Sequence, residues 1–176
     1  IEMPQGEVGH IAGKGACLML GYFDNQKATE KSFNKDGWFL SGDLGLIDAD
    51  GCLHFVGRLK DIIIRGGKNI HPKKIEDLAI KPNVEKAAAF PVPDGRLGER
   101  VCLAVLSTGS EPEGQDVLGH LFGHGLSIYD MPEYYMVMTE FPLTPSGKIL
   151  KRELTEWAKD GRLKPDPIRF AKPKEA

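Results

Sequence analysis

No stretch of this sequence is apolar for the 20 or so residues that a bilayer-crossing helix takes, and its first residues show no charged-then-apolar leader. No membrane span is therefore expected. Cysteine is scarce: Cys17, Cys52 and Cys102 are widely spaced, odd in number, and include no Cys-x-x-Cys pair. That argues against a disulfide framework or a zinc knuckle and fits a reducing cytoplasm. Neither sign of charge dominates, because 23 Lys and Arg face 25 Asp and Glu for a net charge of −2. No basic stretch is interleaved with aromatics, so nucleic acid is not expected as a partner. His120 and His124 stand at a metal-compatible helical spacing but have no third ligand nearby, so no metal site is expected. No Ser-His-Asp or Cys-His arrangement stands out.

What is present is unevenly placed charge. Residues 1–57 hold four basic and eight acidic side chains, and residues 58–100 hold ten and six. Residues 101–140 hold none and six, and residues 141–176 hold nine and five. The two basic stretches also hold the best motifs, so positive charge collects where a phosphorylated ligand would sit, although an unevenly solvated surface gives the same pattern. In the first, Gly57-Arg58-Leu59-Lys60-Asp61 leads through Ile62–Ile64 to Gly66-Gly67 and then Pro72. Ser41-Gly42-Asp43 lies upstream, and Pro142-Leu-Thr-Pro-Ser-Gly-Lys148 lies far downstream.

The chain starts abruptly, Ile1 running into a strand-like 7–12, which reads as a cut inside a longer chain. Residues 15–22 read as a second strand, and Asp24 or Asn25 caps a helix through Phe33. Strands follow at 37–40 and 44–47, then a hairpin through Asp48-Ala-Asp-Gly51 into 52–56. After Lys60 the pattern becomes mixed: strand 62–65, helix 72–81, strands 84–90 and 100–107, helix 114–125, strand 134–139 and helix 150–159. Gly119, Gly123 and Gly125 weaken the helix at 114–125 by roughly 1 kcal/mol each. The tail from Lys164 reads as a surface or disordered segment. The fold class is α+β: residues 1–59 end a β-barrel-like subdomain, and residues 60–176 form a small mixed α/β domain with a three-stranded sheet and flanking helices.

The residues themselves leave alternatives open. Asp43, acceptor-only when ionised, can take hydrogen bonds from two vicinal ribose hydroxyls, with Arg58 reaching the same sugar or a phosphate. A structural Asp–Arg pair across the hairpin fits the same spacing. Gly66-Gly67 is either a tight turn with positive φ or a bare backbone against which a thin ligand passes. Lys148 projects an ammonium from a loop that is not a Walker A loop, because Ile149 stands where Ser or Thr would hold magnesium, and by itself a loop lysine is more often a solvated surface charge.

Together these runs resemble the adenylate-forming superfamily over about residues 6–158. The elements Gly-Tyr-Phe (21–23), Asp-Gly-Trp-Phe (36–39), Ser-Gly-Asp (41–43), Gly-Arg-x-Lys-Asp (57–61) and Pro-x-x-x-x-Gly-Lys (142–148) occur in that family's order and spacing. The run Ile-Ile-Arg-Gly-Gly-Lys-Asn-Ile-His-Pro is similar to the acyl-CoA synthetase branch. The resemblance implies that Asp43 and Arg58 bind the ribose of ATP and of the acyl-adenylate, and that Lys60 is the hinge. It further implies that Gly66 and Gly67 line the path of coenzyme A and that Lys148 catalyses adenylation. The implied reaction is carboxylate plus ATP plus CoA giving acyl-CoA, AMP and pyrophosphate, with magnesium.

The family's phosphate-binding loop and acyl pocket are not among these residues, so the resemblance covers a C-terminal portion, inactive by itself and completed by an N-terminal part of the same enzyme. A lysine acyltransferase acting on Lys148 is a further implied partner. Two other readings stand beside this one: a stand-alone non-catalytic binding or regulatory module, and an adenylation domain feeding a carrier protein.

Overall fold

The computed structural model describes residues 2–171; Ile1 and the end of the proline-containing tail, residues 172–176, lie outside the described residues. The contacts divide the chain into two compact units, Ile1–Lys60 and Asp61–Ala176.

The first unit contains β1 (Gly9–Gly13), the short helix α1 (Gln26–Ser32), β2 (Phe39–Ile47) and β3 (Leu53–Arg58). The strands form an open antiparallel sheet in the order β1-β2-β3. Asn25 starts α1, its side-chain oxygen accepting from the Ala28 N–H at 3.0 Å, and thus satisfies a donor that the helix start leaves free. The β2–β3 turn is held by Asp48, whose Oδ1 accepts from the N–H groups of Asp50 and Cys52. Residues 37–40 and 44–47, read as separate strands, are one strand from Phe39 onward, with a register shift between Leu44 and Gly45. Residues 15–22 are not a strand but a looped segment. Their apolar side chains have no alternation to settle on a sheet face, and Leu20 projects fully into solvent.

The second unit begins with a 3-10 turn, Leu59–Asp61, that carries over from the first. The strands β4 (Ile63–Arg65) and β5 (Lys68–Ile70) follow, then α2 (Pro72–Ala79), β6 (Val84–Asp94) and β7 (Gly98–Ser107). Next come α3 (Gly114–Gly123), β8 (Tyr134–Met138), α4 (Lys151–Lys159) and the two-residue β9 (Asp166–Pro167). Three long strands make the centre of the sheet, β7 pairing antiparallel with β6 and parallel with β8. The β4–β5 hairpin and β9 extend it to six strands.

The strand period of two divides this sheet into two apolar faces. Ala87, Ala89, Val101, Leu103 and Val105 pack with Ile75 and Ala79 of α2 and with Val117, Leu118 and Leu121 of α3. Ala88, Phe90, Cys102 and Ala104 face the opposite way and meet Leu154 and Trp157 of α4. Helices on both faces explain why β6 and β7 read as almost uninterrupted apolar runs. They also explain why α3 forms despite its glycines: its three fully buried side chains each contribute about 2 kcal/mol of burial. The tail is not loose where it is described. Ile168 and Phe170 pack on the first core, and the Ile168 N–H donates to the Glu133 carbonyl at 2.8 Å.

Candidate functional site

The sheet of the first unit brings Asp43 and Arg58 together. They are direct cross-strand partners in β2 and β3, and Arg58 Nε donates to Asp43 Oδ1 at 3.0 Å. The three residues Ser41-Gly42-Asp43 owe their shape to hydrogen bonds from β1. The Ser41 hydroxyl donates to the Ile11 carbonyl at 2.9 Å and accepts from the Asp43 N–H at 3.0 Å. Gly42 has φ +79, which favours glycine, and its N–H donates to His10 Nε2 at 2.9 Å. The ring of His10 therefore acts as an acceptor at Nε2 and carries its proton on Nδ1. The Asp43 side chain is 27% exposed and that of Arg58 is 51% exposed, so the carboxylate is accessible with one oxygen already committed. Asp43 Oδ2 accepts no hydrogen bond among the described residues. His10 was not singled out from sequence, because a lone histidine on a short strand has no local signature.

Lys60 lies in the 3-10 turn at the end of the first unit, and Asp61 opens the second. Arg65 and Lys68 pair across the β4–β5 hairpin, leaving Gly66-Gly67 as its two-residue loop. Both glycines have positive φ, +57 and +84, as this tight turn demands. A Cβ on Gly66 would meet Leu97 Cδ2 at 3.2 Å, whereas one on Gly67 would meet nothing within 4 Å. Gly67 thus presents bare backbone to open space. The turn reading describes both glycines, and only Gly67 also leaves its backbone uncovered.

The hairpin is braced on two sides. The Gly66 N–H donates to the Leu97 carbonyl at 2.8 Å, and the turn holding Leu97 is organised by Asp94. The Asp94 carboxylate accepts from the N–H groups of Leu97 and Arg96 and from Arg100 Nε. The Leu97 N–H, then the Arg100 guanidinium and the Arg96 N–H, hold the Asp94 pKa at about 2, well below 3.8. On the other side, Arg65 donates to the carbonyls of Met131 and Tyr129 and lies 2.8 Å from Glu133 Oε1. Lys68 Nζ sits 2.6 Å from Asp130 Oδ1, close enough for an ion pair though not aligned as a hydrogen bond. The same ammonium lies 5.3 Å from the centre of the Tyr129 ring.

Lys148 occupies the exposed tip of a locked loop in the second unit. The Thr144 N–H donates to the Lys148 carbonyl, and the Gly147 N–H to the Thr144 carbonyl, each at 2.8 Å. The Lys148 N–H donates to Thr144 Oγ1 at 3.0 Å, and the Leu150 N–H closes the base on the Pro142 carbonyl. Gly147 has φ +80, where a side chain would strain the turn. Among the described residues the Lys148 ammonium makes no hydrogen bond or ion pair. Three residues on, Lys151 behaves oppositely: its Nζ lies 3.1 Å from Glu76 Oε1 and 3.4 Å from Asp61 Oδ2. Neither this network nor the Arg65–Glu133 pair was legible in the sequence, because each joins residues at least 68 positions apart, or 75 for Lys151 and Glu76.

Asp43 and Arg58 belong to the first unit, and Gly66, Gly67 and Lys148 to the second. Among the described residues no group of three or more His, Cys, Asp or Glu could hold a metal ion, and His120 and His124 stack on each other with ring centres 4.0 Å apart. No described helix is long and apolar enough to cross a membrane.

Comparison with known proteins gives a consistent result. No family model matches the chain. The medium-chain acyl-CoA ligase ACSF2 of Bos taurus, named as mitochondrial, is 37% identical over 150 residues, 84% of this chain and 24% of its own length. ATP-bound MatB from Rhodopseudomonas palustris superposes with a TM-score of 0.81 at 35% identity, over 92% of this chain and 32% of that one. The o-succinylbenzoate CoA synthetase MenE of Bacillus subtilis, solved with its acyl-adenylate intermediate, gives a TM-score of 0.79 at 30% identity, over 86% and 31%. The chain spans about a quarter to a third of the length of these relatives.

Proposed function

Because this chain belongs to the adenylate-forming superfamily, matching part of its acyl-CoA synthetases, we propose that it is the C-terminal portion of an AMP-forming acyl-CoA synthetase. In this reading residues 1–59 end the large domain and residues 60–176 form the small domain that turns about Lys60. The complete enzyme joins a carboxylic acid to coenzyme A at the expense of ATP. The observation that carries the reading is the Lys148 ammonium, presented without a partner among the described residues from a loop that is pinned by its own backbone.

The chemistry needs such a group. A carboxylate oxygen attacks the α-phosphorus of ATP, the bond to the bridging oxygen breaks, and pyrophosphate leaves. Negative charge spreads over the phosphoryl oxygens, and one fixed cationic donor at that position is worth about 3 kcal/mol of barrier. Asp43 accepts hydrogen bonds from the ribose hydroxyls on the oxygen that Arg58 leaves free, holding the adenylate while Arg58 fixes the carboxylate rotamer. In the second step the thiol of CoA gives up its proton to solvent, its sulfur attacks the acyl carbonyl carbon, and AMP departs with the bonding pair. Gly67, with no side chain and open space before it, gives the pantetheine arm a path along the β4–β5 hairpin. Magnesium would accompany the triphosphate as part of the substrate, and the described residues form no acidic cluster that could hold it.

The chain then works only with the N-terminal part of the same enzyme. Its exposed Lys148 is also accessible to a lysine acyltransferase, which would silence the first step. We place it in the cytoplasm, a reducing compartment that suits three unpaired cysteines. The test is carboxylate-dependent pyrophosphate release by the complete protein carrying this chain, across a panel of carboxylic acids. Release that depends on one class of acid and falls at least a hundredfold in Lys148→Ala is expected. Release unaffected by Lys148→Ala would overturn the assignment.

A further inference from the structure

Lys148 has no partner among the described residues, yet an ammonium useful in catalysis must be held in place while the domain that bears it moves. Its own loop bonds are all local, between residues 142 and 150. Phe141 and Ile149 seat its two ends on the second core, and the charged tie to the rest of the unit comes from the first residue of α4. Leu150 closes the loop through the Pro142 carbonyl, and Lys151 follows it directly.

Lys151 Nζ bridges two carboxylates from distant parts of the chain. Asp61, 3.4 Å away, is the residue immediately after Lys60 and ends the 3-10 turn Leu59–Asp61. Glu76 of α2, 3.1 Å away, also accepts from the Ala89 N–H at 2.9 Å and so is fixed to the backbone of β6. The three side chains are 24%, 27% and 16% exposed, enough shielding that their attraction is not simply screened away as on an open surface. Removing the ammonium would leave two carboxylates facing each other with nothing between them.

We propose that Lys151 is a positioning residue: it fastens the turn at Lys60 to the Lys148 loop, so that rotation about the turn carries the Lys148 ammonium as part of a rigid body. This rests on the synthetase reading above and deepens it. The Gly66-Gly67 hairpin hangs on other contacts, those of Arg65 with Glu133 and of Asp94 with the turn at Leu97, so the link serves the first half-reaction and not the second.

The experiment measures both half-reactions separately in the complete enzyme carrying this chain, in Lys151→Met, Lys151→Arg and Asp61→Asn beside Lys148→Ala. Displacement of a reacting group by about 1 Å costs up to a hundredfold. Lys151→Met should therefore lower kcat for adenylation tenfold to a hundredfold with KM for ATP little changed. Thioester formation from supplied acyl-adenylate should stay within about twofold of the parent. Lys151→Arg, which can span both carboxylates, should recover most of the rate. Asp61→Asn keeps the Glu76 pair and thus the fold, and should show the same selective loss if Lys151→Met does not fold. A structural role alone would depress both half-reactions together, and that result overturns the inference. So does a normal adenylation rate in Lys151→Met while Lys148→Ala is impaired, which leaves the synthetase reading intact. Normal adenylation in Lys148→Ala removes that reading itself.

Discussion

Gly67→Ala separates what the backbone needs from what the ligand path needs. At φ +84 an L-residue carries a left-handed penalty of about 1–2 kcal/mol, partly offset because alanine also restricts the unfolded chain. No atom lies within 4 Å of the added methyl, so no clash adds to this, and the net cost to stability is about 1 kcal/mol. Gly125→Ala is a matched control, since Gly125 has φ +85, open space around its Cβ, and a place beyond α3 instead of on the β4–β5 hairpin. Both variants should lower the denaturation midpoint by a similar few degrees in thermal melts followed by circular dichroism. Only Gly67→Ala should then slow thioester formation from preformed acyl-adenylate, by at least tenfold, which corresponds to about 1.4 kcal/mol of barrier. Adenylation should be unchanged in both. Equal loss of thioester formation in the two variants, or wild-type thioester formation in Gly67→Ala, would refute the idea that the pantetheine arm passes this backbone.

The Asp94 carboxylate has a folded pKa of about 2 against 3.8 in its ordinary state, so its stabilisation is fully present above that value and is lost as pH falls towards 2. Asp94→Asn should flatten the acid limb of a denaturation-against-pH curve in that window, and an unchanged limb would contradict the role of the Leu97 and Arg100 bonds. Burial pushes the Cys102 thiol well above its usual range, while Cys17 and Cys52 are exposed. An aromatic disulfide reagent should thus titrate two thiols in the folded chain and three in denaturant. Leu154 is the buried side chain of α4, and Leu154→Ala should cost about 3 kcal/mol in urea denaturation; a loss below 1 kcal/mol would mean that α4 is not seated on its face of the sheet.

The long elements of the fold could be read from sequence because their signals are local. Asn25 announces α1, Pro72 opens α2, and β6 and β7 are apolar runs too long to leave on a surface. The short elements could not. Lys68–Ile70 has no pattern of its own and becomes a strand only because Gly66-Gly67 folds it back on β4. Asp166–Pro167 pairs with β8 because Ile168 and Phe170 find a place on the core, a contact that composition does not reveal. The reverse holds at residues 15–22, an apolar run that forms no strand and leaves Leu20 fully exposed. For the site, the cross-strand pairing of Asp43 with Arg58 follows from hairpin register and was anticipated as one of two readings. The second ring of support was not, because His10, Glu76 and Glu133 act only through residues that folding brings to them.

The most direct test of the account is the rate of each half-reaction in three variants of the complete enzyme, Asp43→Ala, Lys148→Ala and Gly67→Ala. The account predicts a crossed pattern: Asp43→Ala slows both steps, Lys148→Ala slows adenylation alone, and Gly67→Ala slows thioester formation alone. If Lys148→Ala and Gly67→Ala impair the same step, or Asp43→Ala spares either one, a single small domain does not present two faces in turn to one bound adenylate.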